Sequence, residues 1–231
     1  MTSAKVSHVV WDWNGTLLHD NDAVIAAVNQ VCAAYGRPEL TWENWREVYA
    51  RPVRTTYEQI LGQVLDDQNW ARVDKLYHDQ YDVLLPTSKL AADVPGQLLE
   101  WASTGRTQSL LSMWFHRQLI PLVEEFGLTG LFSRIDGLAA ELGGESKTEH
   151  LARHLEAQEL RPADVLVIGD VVDDALAAQA VGAQCVLVST GAMTKAALKA
   201  TGAPVADTIT EALRITGTAL DRDFGARGRT E

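Results

Sequence analysis

The chain has 231 residues, of which 46% are hydrophobic and 22% charged, so it can bury a full core and hold a second, smaller domain. Its 31 acidic residues against 20 Lys and Arg give a formal charge of -11, which argues against nucleic acid and anionic membranes as partners. No apolar run approaches the roughly 18 residues that span a bilayer, and no basic leader is visible, so a cytoplasmic protein is expected. Cys32 and Cys185 lie in separate apolar stretches and are expected to be buried thiols, as suits a reducing compartment.

The first strong element is an apolar run at residues 9–11 that ends abruptly in Asp12, with Gly15 and Thr16 close behind. This pattern predicts a buried strand that delivers a carboxylate to the edge of a parallel sheet, where open α/β folds place their sites. Gly15 would let backbone amides approach a ligand closely. Taken alone, Asp12 fits a helix-capping residue about as well as it fits a nucleophile.

The stretch after this strand shows only helical periodicity, and one of its helices is expected to begin at Thr55 with Glu58 completing a capping box. Such a stretch predicts a helical cap domain inserted into a core domain. The predicted boundaries are 1–20 for the first part of the core, 21–88 for the cap and 89–231 for the rest of the core. Several of the seven tryptophans fall in the cap at helical spacing, which favours core positions over a ligand cage.

From about residue 89 onward, apolar strand patterns alternate with helical ones. The alternation predicts an α/β, Rossmann-like core in which a parallel sheet has helices on both faces. The first of these strands ends at Ser112, and a later helix begins at Lys147, capped by Ser146 and Glu149, after a Gly143-Gly144 loop. The other expected elements include strands at 135–138, 165–168 and 185–188 and helices at 173–180, 194–200 and 210–220.

A second carboxylate cluster, Asp170, Asp173 and Asp174, follows the most strand-like run of the chain, residues 165–168. Two strand-end clusters that converge on one sheet edge form a site for a hard cation, because Mg²⁺ prefers about six oxygen ligands. The alternative interpretation is a solvated helix N-terminus, where carboxylates are favourable without any ligand. The sequence has no paired Cys or His cluster for zinc and no Gly-x-Gly-x-x-Gly for a dinucleotide.

These two clusters resemble the motifs of the haloacid dehalogenase-like hydrolases, and most of all the phosphoglycolate phosphatase and phosphomutase branch. Asp12, Gly15 and Thr16 match the first family motif, Asp-x-Asp-Gly-Thr, while Asp170 and Asp174 match the Gly-Asp-x-x-x-Asp motif. The resemblance covers nearly the whole chain in the family's order. It implies a Mg²⁺-dependent phosphatase of small phosphorylated metabolites that forms an aspartyl-phosphate on Asp12.

The resemblance also implies a set of metal ligands. Asp12, the backbone carbonyl of Asn14 and Asp170 would hold Mg²⁺. Asp174 would bind it directly or through water, and Asp173 would lie outside the ligand shell.

Further positions follow from the same resemblance. Ser112 would donate to a phosphoryl oxygen, and Lys147 would pair with Asp12 and the transferring group, since the transition state spreads charge over three oxygens. Arginines of the cap could meet a second anionic group on the substrate, although solvated arginines are an equally good interpretation. The implied substrate-binding residues are Trp13, Gly15 and Thr16 beside the nucleophile and Arg51 and Arg54 in the cap.

Asn14 is the one departure from the first motif, because family phosphatases carry there an aspartate that protonates the leaving oxygen. An amide cannot do this, and loss of such a group typically costs about 10²–10⁴ in rate. The protein is therefore a slow phosphatase that suits good leaving groups, a phosphatase with another acid such as His19 or Asp20, or a phosphate-binding or regulatory protein with little turnover. Haloacid dehalogenases also lack this aspartate, but their reaction needs no Mg²⁺ cluster. Substrate identity and the choice between monomer and homodimer stay open.

Overall fold

The structure is a computed structural model that describes residues 6–139 and 146–215. Within these ranges the strands are β1 (His8–Trp11), β2 (Leu18–His19), β3 (Lys89–Leu90), β4 (Thr107–Phe115), β5 (Ile135–Leu138), β6 (Val165–Gly169), β7 (Gln184–Val188) and β8 (Val205–Ala206). The helices are α1 (Asn21–Ala34), α2 (Trp42–Val48), α3 (Val53–Leu61), α4 (Asp67–Leu84), α5 (Val94–Ser103), α6 (His116–Glu125), α7 (Lys147–Glu156), α8 (Val172–Val181) and α9 (Lys195–Lys199). Residues 209–215 are also helical.

Six strands form one sheet in the order β5-β4-β1-β6-β7-β8, and each neighbouring pair is parallel. Successive residues of β1 contact different hydrophobic clusters: Val9 and Trp11 belong to one, Val10 to another. Both faces of the sheet are therefore covered, which explains why its central strands are continuous apolar runs rather than alternating ones. The predicted Rossmann-like α/β core is confirmed.

The sheet register brings the two carboxylate clusters together. β1 lies between β4 and β6, and Trp11 is aligned with Leu110 on one side and Ile168 on the other. Asp12 follows β1 and donates its backbone N–H to the Ile168 carbonyl at 2.8 Å. Because all three strands run in the same direction, the residues that follow them share the carboxyl edge of the sheet.

Helices α1 to α4 follow one another with no strand of the six-stranded sheet among them, and they share a hydrophobic cluster that includes Val28, Trp45, Tyr57 and Val73. The chain enters and leaves this helical region through the short antiparallel pair β2–β3. These features agree with an inserted cap, whose boundaries stay a prediction.

Two local expectations were wrong. Helix α3 begins at Val53 after Pro52 rather than at Thr55, and the Glu58 carboxylate accepts the backbone N–H of Leu65 instead of completing a capping box. Strand β4 continues past Ser112 to residue 115, with an irregular register after residue 111. A capping box at the start of α7 is confirmed.

Of the two cysteines, Cys32 is a buried free thiol, whereas Cys185 is only partly buried. The predicted Gly143-Gly144 loop and the end of the 210–220 helix lie outside the described residues. Among the described helices, none combines the length and apolarity that crossing a membrane requires.

Candidate active site

Four side chains meet at the carboxyl edge of the sheet: Asp12 and Asp170 follow strands β1 and β6, and Lys147 and Asp174 lie in the first turns of helices α7 and α8. Lys147 Nζ, at the first position of α7, lies 2.5 Å from Asp12 Oδ1 and also forms an ion pair with Asp174. One oxygen each from Asp12, Asp170 and Asp174 lies within 4.8 Å of the others, and all three residues are buried. The predicted convergence of the two clusters is therefore present in the geometry.

Burial and mutual repulsion perturb these groups. Burial raises the pKa of Asp12 to about 6, Lys147 opposes the shift and Asp174 adds to it. Burial, together with the charges of Asp12 and Asp174, also raises the pKa of Asp170 well above its usual range. For Lys147, burial works against the charged form, yet the two carboxylates raise its pKa. One ammonium group thus faces three buried carboxylates, an arrangement that favours a further cation.

Two glycines shape the space around Asp170. A Cβ on Gly15, whose φ is +74°, would lie 2.5 Å from Asp170 Oδ2, and a Cβ on Gly191 would overlap the same atom. Asp170 Oδ2 also accepts the backbone N–H of Ala192 at 3.2 Å. The carboxylate is therefore fixed in orientation by backbone that only glycine allows so close.

The remaining residues of the first motif lie beside Asp12. Thr16 Oγ1 donates to Asp12 Oδ2 at 3.4 Å. Trp13 is fully buried, with its ring centroid 6.2 Å from that of Phe126, so only its backbone is available to a substrate. Ser112 Oγ accepts the backbone N–H of Trp114 at 3.0 Å and lies 3.5 Å from Asn14 Oδ1.

Asn14 belongs to a hydrogen-bonded network that links the core to the helical region. Its Nδ2 donates to Asp20 Oδ2 at 3.0 Å and to the Tyr81 hydroxyl at 2.8 Å. The Tyr81 hydroxyl in turn donates to Asp20 Oδ2 at 2.6 Å, and the Gly15 N–H donates to Asp20 Oδ1 at 3.1 Å. Burial raises the pKa of Asp20, although these donors oppose the shift. Asp20 is thus buried against Asn14, whereas His19 is exposed.

A cavity of about 560 Å³ opens over these residues and extends between the sheet edge and the helical region. Asp12, Asn14, Ser112, Lys147 and Asp170 form its floor. Its upper walls are rich in aromatic rings, which include Trp42, Trp45, Tyr49, Tyr77, Tyr81 and Trp114. Trp45 is a buried core residue, as predicted for the tryptophans of the cap, and it also lines the cavity.

The two arginines predicted from the cap line the same cavity but differ in their partners. Arg51 Nε lies 3.7 Å from Asp173 Oδ2, and its guanidinium lies 5.9 Å from the Tyr49 ring centroid. Arg54 contacts the Leu65 carbonyl and donates to an Asp67 oxygen at 2.9 Å. The guanidinium of Arg54 is thus held by hydrogen bonds within the helical region, whereas Arg51 forms a longer ion pair with Asp173.

A second polar constellation lies inside the core. His154 joins Ser109 Oγ through Nε2 and Asp136 Oδ2 through Nδ1, each at 2.7 Å, in the order that a nucleophilic triad would have. Ser109 is fully buried, however, and also lies 2.7 Å from His8 Nε2. Burial alone would raise the pKa of Asp136, but the hydrogen bonds from His154 and Arg134 hold it well below its usual range. No substrate can reach this serine, so these hydrogen-bonded residues form a structural network.

Two features of the cavity were missed from sequence. The link from Asn14 and Asp20 to Tyr81 spans more than sixty residues, and no local pattern indicates it. Trp114 follows Ser112 by two residues on β4 and was missed because the strand was expected to end at residue 112.

Known proteins resemble this chain in sequence. A model of the family described as haloacid dehalogenase-like hydrolase matches residues 9–188. The phosphoglycolate phosphatase of Vibrio vulnificus is 25% identical over 191 residues, which cover 79% of this chain and 83% of that protein. The phosphoglycolate phosphatase of Aliivibrio fischeri is 29% identical over 75% of this chain and 80% of its own length.

Solved structures share the fold. A haloacid dehalogenase-like family protein from Streptococcus pneumoniae superposes with a TM-score of 0.77 at 19% identity, over 93% of this chain and 99% of the other. A structure described as a predicted phosphatase from Clostridium acetobutylicum gives a TM-score of 0.80 at 16% identity, over 94% of this chain and 100% of that chain.

Proposed function

The chain belongs to the haloacid dehalogenase-like hydrolase family and is a hydrolase related to its phosphatases, and we propose that it releases phosphate from small phosphate monoesters through a phosphoryl group carried on Asp12. The observation that carries this proposal is the cluster of Asp12, Lys147, Asp170 and Asp174 at the carboxyl edge of the sheet, of which the first three line the floor of the cavity. Both free cysteines suit the cytoplasm, which we propose as its location.

Asp12 acts as the nucleophile in this proposal. A carboxylate oxygen of Asp12 forms a bond to phosphorus while the ester P–O bond breaks and the leaving oxygen keeps the electron pair. Water then attacks phosphorus, the bond to Asp12 breaks with its electron pair returned to the carboxylate, and inorganic phosphate leaves with the hydroxyl from that water. The remaining proton of the water neutralises the released oxide. Lys147 stabilises Asp12 in its ionised form and offsets charge on the phosphoryl oxygens, and Ser112 donates to one of them.

The residues at the floor fit Mg²⁺. Lys147 pairs with two of the three buried carboxylates, Asp12 and Asp174, and the glycines beside Asp170 leave no Cβ to fill the space near its oxygens. Asp12, Asp170 and the backbone carbonyl of Asn14 would hold the ion. Asp174 already accepts the Val171 N–H at 3.0 Å and pairs with Lys147, so we place it outside the direct ligands or behind a water. When bound, Mg²⁺ would supply positive charge against the phosphoryl oxygens.

Asn14 sets the limit on rate. Its side chain is held as a donor to Asp20 and Tyr81 and carries no transferable proton. Esters whose leaving oxygen needs protonation should therefore turn over slowly. A phosphate-binding protein with little turnover is the second candidate, and this same network is the observation that favours it.

The test is phosphate release from a panel of monoesters, with and without Mg²⁺, by the wild type, by Asp12→Asn and by Asp164→Asn. Asp164 precedes β6 at the end of the strand opposite to the site, which makes its variant a matched control. We expect metal-dependent release by the wild type and the control, and none by Asp12→Asn. Retained metal-dependent release in Asp12→Asn would refute the nucleophile. Phosphate binding without release in the wild type would favour the second candidate.

A further inference from the structure

The aromatic part of the cavity suggests which phosphate monoesters it takes. Resting on the proposed function, we propose that the substrate is an aryl phosphate, whose flat aromatic leaving group lies against Trp114, rather than a short phosphorylated carboxylic acid.

Trp114 and Tyr81 form an aromatic wall directly beside the phosphoryl site. Trp114 is two residues beyond Ser112 on β4, and its backbone N–H donates to Ser112 Oγ at 3.0 Å. Tyr81 reaches the same place from α4, with its hydroxyl 2.8 Å from Asn14 Nδ2. The two ring centroids lie 5.0 Å apart at 66°, and His78 stacks on Trp114 at 5.6 Å and 22°. Tyr81 is 2% exposed and its ring stacks on Tyr77 at 5.5 Å and 12°, so a group bonded to a phosphoryl at Ser112 would meet the partly exposed ring of Trp114, which Tyr81 supports from behind.

The charges that line the cavity disfavour a second anionic group on the substrate. Among its lining residues in the described ranges, each Lys or Arg side chain already has a carboxylate partner. The pairs are Lys147 with Asp12 and Asp174, Arg51 with Asp173, and Arg54 with Asp67. The carboxylate of Asp74 also lines the cavity. A substrate carboxylate would therefore have to compete with an existing ion pair, and the contact between Arg51 and Asp173, at 3.7 Å, is the longest of these pairs.

Size points the same way. The cavity of about 560 Å³ falls within the roughly 300–1,000 Å³ typical of pockets for drug-sized ligands. A phosphorylated two-carbon acid would leave most of the aromatic wall in contact with water. A phenyl or larger ring would cover it, and paired aromatic rings attract one another beyond simple burial of area.

Leaving-group chemistry agrees with an aromatic alcohol. When the ester bond breaks, the electron pair stays on the leaving oxygen, which later takes a proton from water. A phenol has a pKa of about 10, whereas an alkoxide is a base comparable with hydroxide, whose conjugate acid, water, has a pKa of about 15.7. Because Asn14 supplies no proton, an aryl oxide is the leaving group that this site can release without assistance.

The experiment compares kcat/KM for phenyl phosphate, cyclohexyl phosphate, acetyl phosphate and phosphoglycolate. Phenyl and cyclohexyl phosphate match in size, and acetyl phosphate has a good leaving group without a ring. The variants are Trp114→Leu, which keeps an apolar side chain but removes the ring, and Phe132→Leu, a partly buried aromatic outside the cavity, as control. We expect Trp114→Leu to lower the ratio of phenyl to acetyl phosphate turnover about 3- to 10-fold, and Phe132→Leu to leave that ratio unchanged.

Binding separates this proposal from the proposed function. Calorimetry should show that phenylphosphonate binds more tightly than phosphonoacetate. Trp114→Leu should weaken the binding of phenylphosphonate by about the same 3- to 10-fold factor. Preferred turnover of phosphoglycolate, or an equal loss on every ester in Trp114→Leu, would overturn the aryl preference and uphold the phosphatase. Selective phenylphosphonate binding with no hydrolysis of any ester would overturn the phosphatase and place the aromatic preference in a binding protein.

Discussion

The hydrogen bond between Asn14 and Asp20 predicts that these two residues cannot be changed independently. Asn14 Nδ2 lies 3.0 Å from Asp20 Oδ2, and Asp20 is buried. In an Asn14→Asp variant, two carboxylate oxygens would face each other at that separation. At an effective dielectric constant of about 20, two unit charges 3.0 Å apart repel by about 5.5 kcal/mol. The pair will therefore hold a shared proton rather than ionise fully.

We expect Asn14→Asp to lower the free energy of unfolding by about 2 kcal/mol at pH 7.5, because a charge-assisted hydrogen bond is lost and a carboxyl pKa is raised. A carboxyl whose folded-state pKa exceeds its unfolded value loses stability as the pH rises, so the effect should shrink at pH 5. Asp20→Asn alone weakens the bonds from Tyr81 and Gly15, at a cost of about 1–2 kcal/mol. In N14D/D20N an amide again donates to a carboxylate, and about 2 kcal/mol of the summed loss should return.

The assay is urea unfolding of the wild type, both single variants and the double variant, all free of metal, at pH 5 and 7.5. The exposed ion pair of Lys75 and Asp79, at 2.7 Å, provides a control cycle in which the coupling should stay below about 0.5 kcal/mol. If the Asn14 and Asp20 changes add within about 0.5 kcal/mol at both pH values, the network does not couple them and the reasoning fails.

The double variant also tests proton supply. It places a carboxyl at position 14 without a like charge at position 20, so that carboxyl is free to act as an acid. Turnover of alkyl phosphates should then rise by up to about 10²-fold, and turnover of aryl phosphates by less, because aryl oxides leave without a proton. An equal change on both ester types would show that Asn14 does not stand in the place of an acid.

Three further predictions follow from other contacts. Asp170→Ala should weaken Mg²⁺ binding by more than about 10-fold in calorimetry, and a similar loss in Ser112→Ala would contradict the division between ligand and phosphate donor. Burial lowers the pKa of His8 to about 4, so stability should fall by up to about 1.4 kcal/mol per pH unit as the pH drops from about 6.5 to 4. His8→Gln should flatten that slope in thermal unfolding, and the exposed His19→Gln should not; equal slopes would refute the assignment. From helix α2, Arg46 donates to the backbone carbonyls of Ser189 and Met193 in the core. A lid held closed by this contact should open in Arg46→Ala, which would increase the radius of gyration measured by scattering without a phosphate analogue. An unchanged radius would count against this contact as a lid closure.

The part of the site that sequence predicts well is the part built from strand ends. A buried apolar run that stops in a carboxylate is a local signal, and parallel strands bring such ends to one edge whatever the loops do. Asp12 and Asp170 therefore meet, and a helix cap at Ser146 directs Lys147 toward them. Their roles in metal binding and phosphoryl transfer stay predictions of the proposed function.

What sequence could not predict depends on contacts between distant segments. The aromatic wall needs Tyr81 of α4 and Trp114 of β4 to approach each other, and each residue alone fits a core position. Arg51 and Arg54 looked equivalent in sequence, yet one contacts Asp173 of the core and the other Asp67 of the cap. Helical periodicity predicts which face of a helix is buried, but not which other segment of the chain that face contacts.

Asn14 shows how a departure from a family motif can be explained by its neighbours. An aspartate at this position would lie against the buried carboxylate of Asp20, and one of the two would have to stay protonated. An amide avoids that conflict, because it donates to Asp20 and to the Tyr81 hydroxyl while its own oxygen faces Ser112. Asn14 and Asp20 therefore depend on each other. The carboxylate of Asp20 accepts the hydroxyl of Tyr81 and holds that ring over the site, and the amide of Asn14 can lie beside this carboxylate without repulsion. The amide at position 14 is then a consequence of how the helical region is attached, which is why the swap of both residues is expected to cost less stability than the two single changes summed.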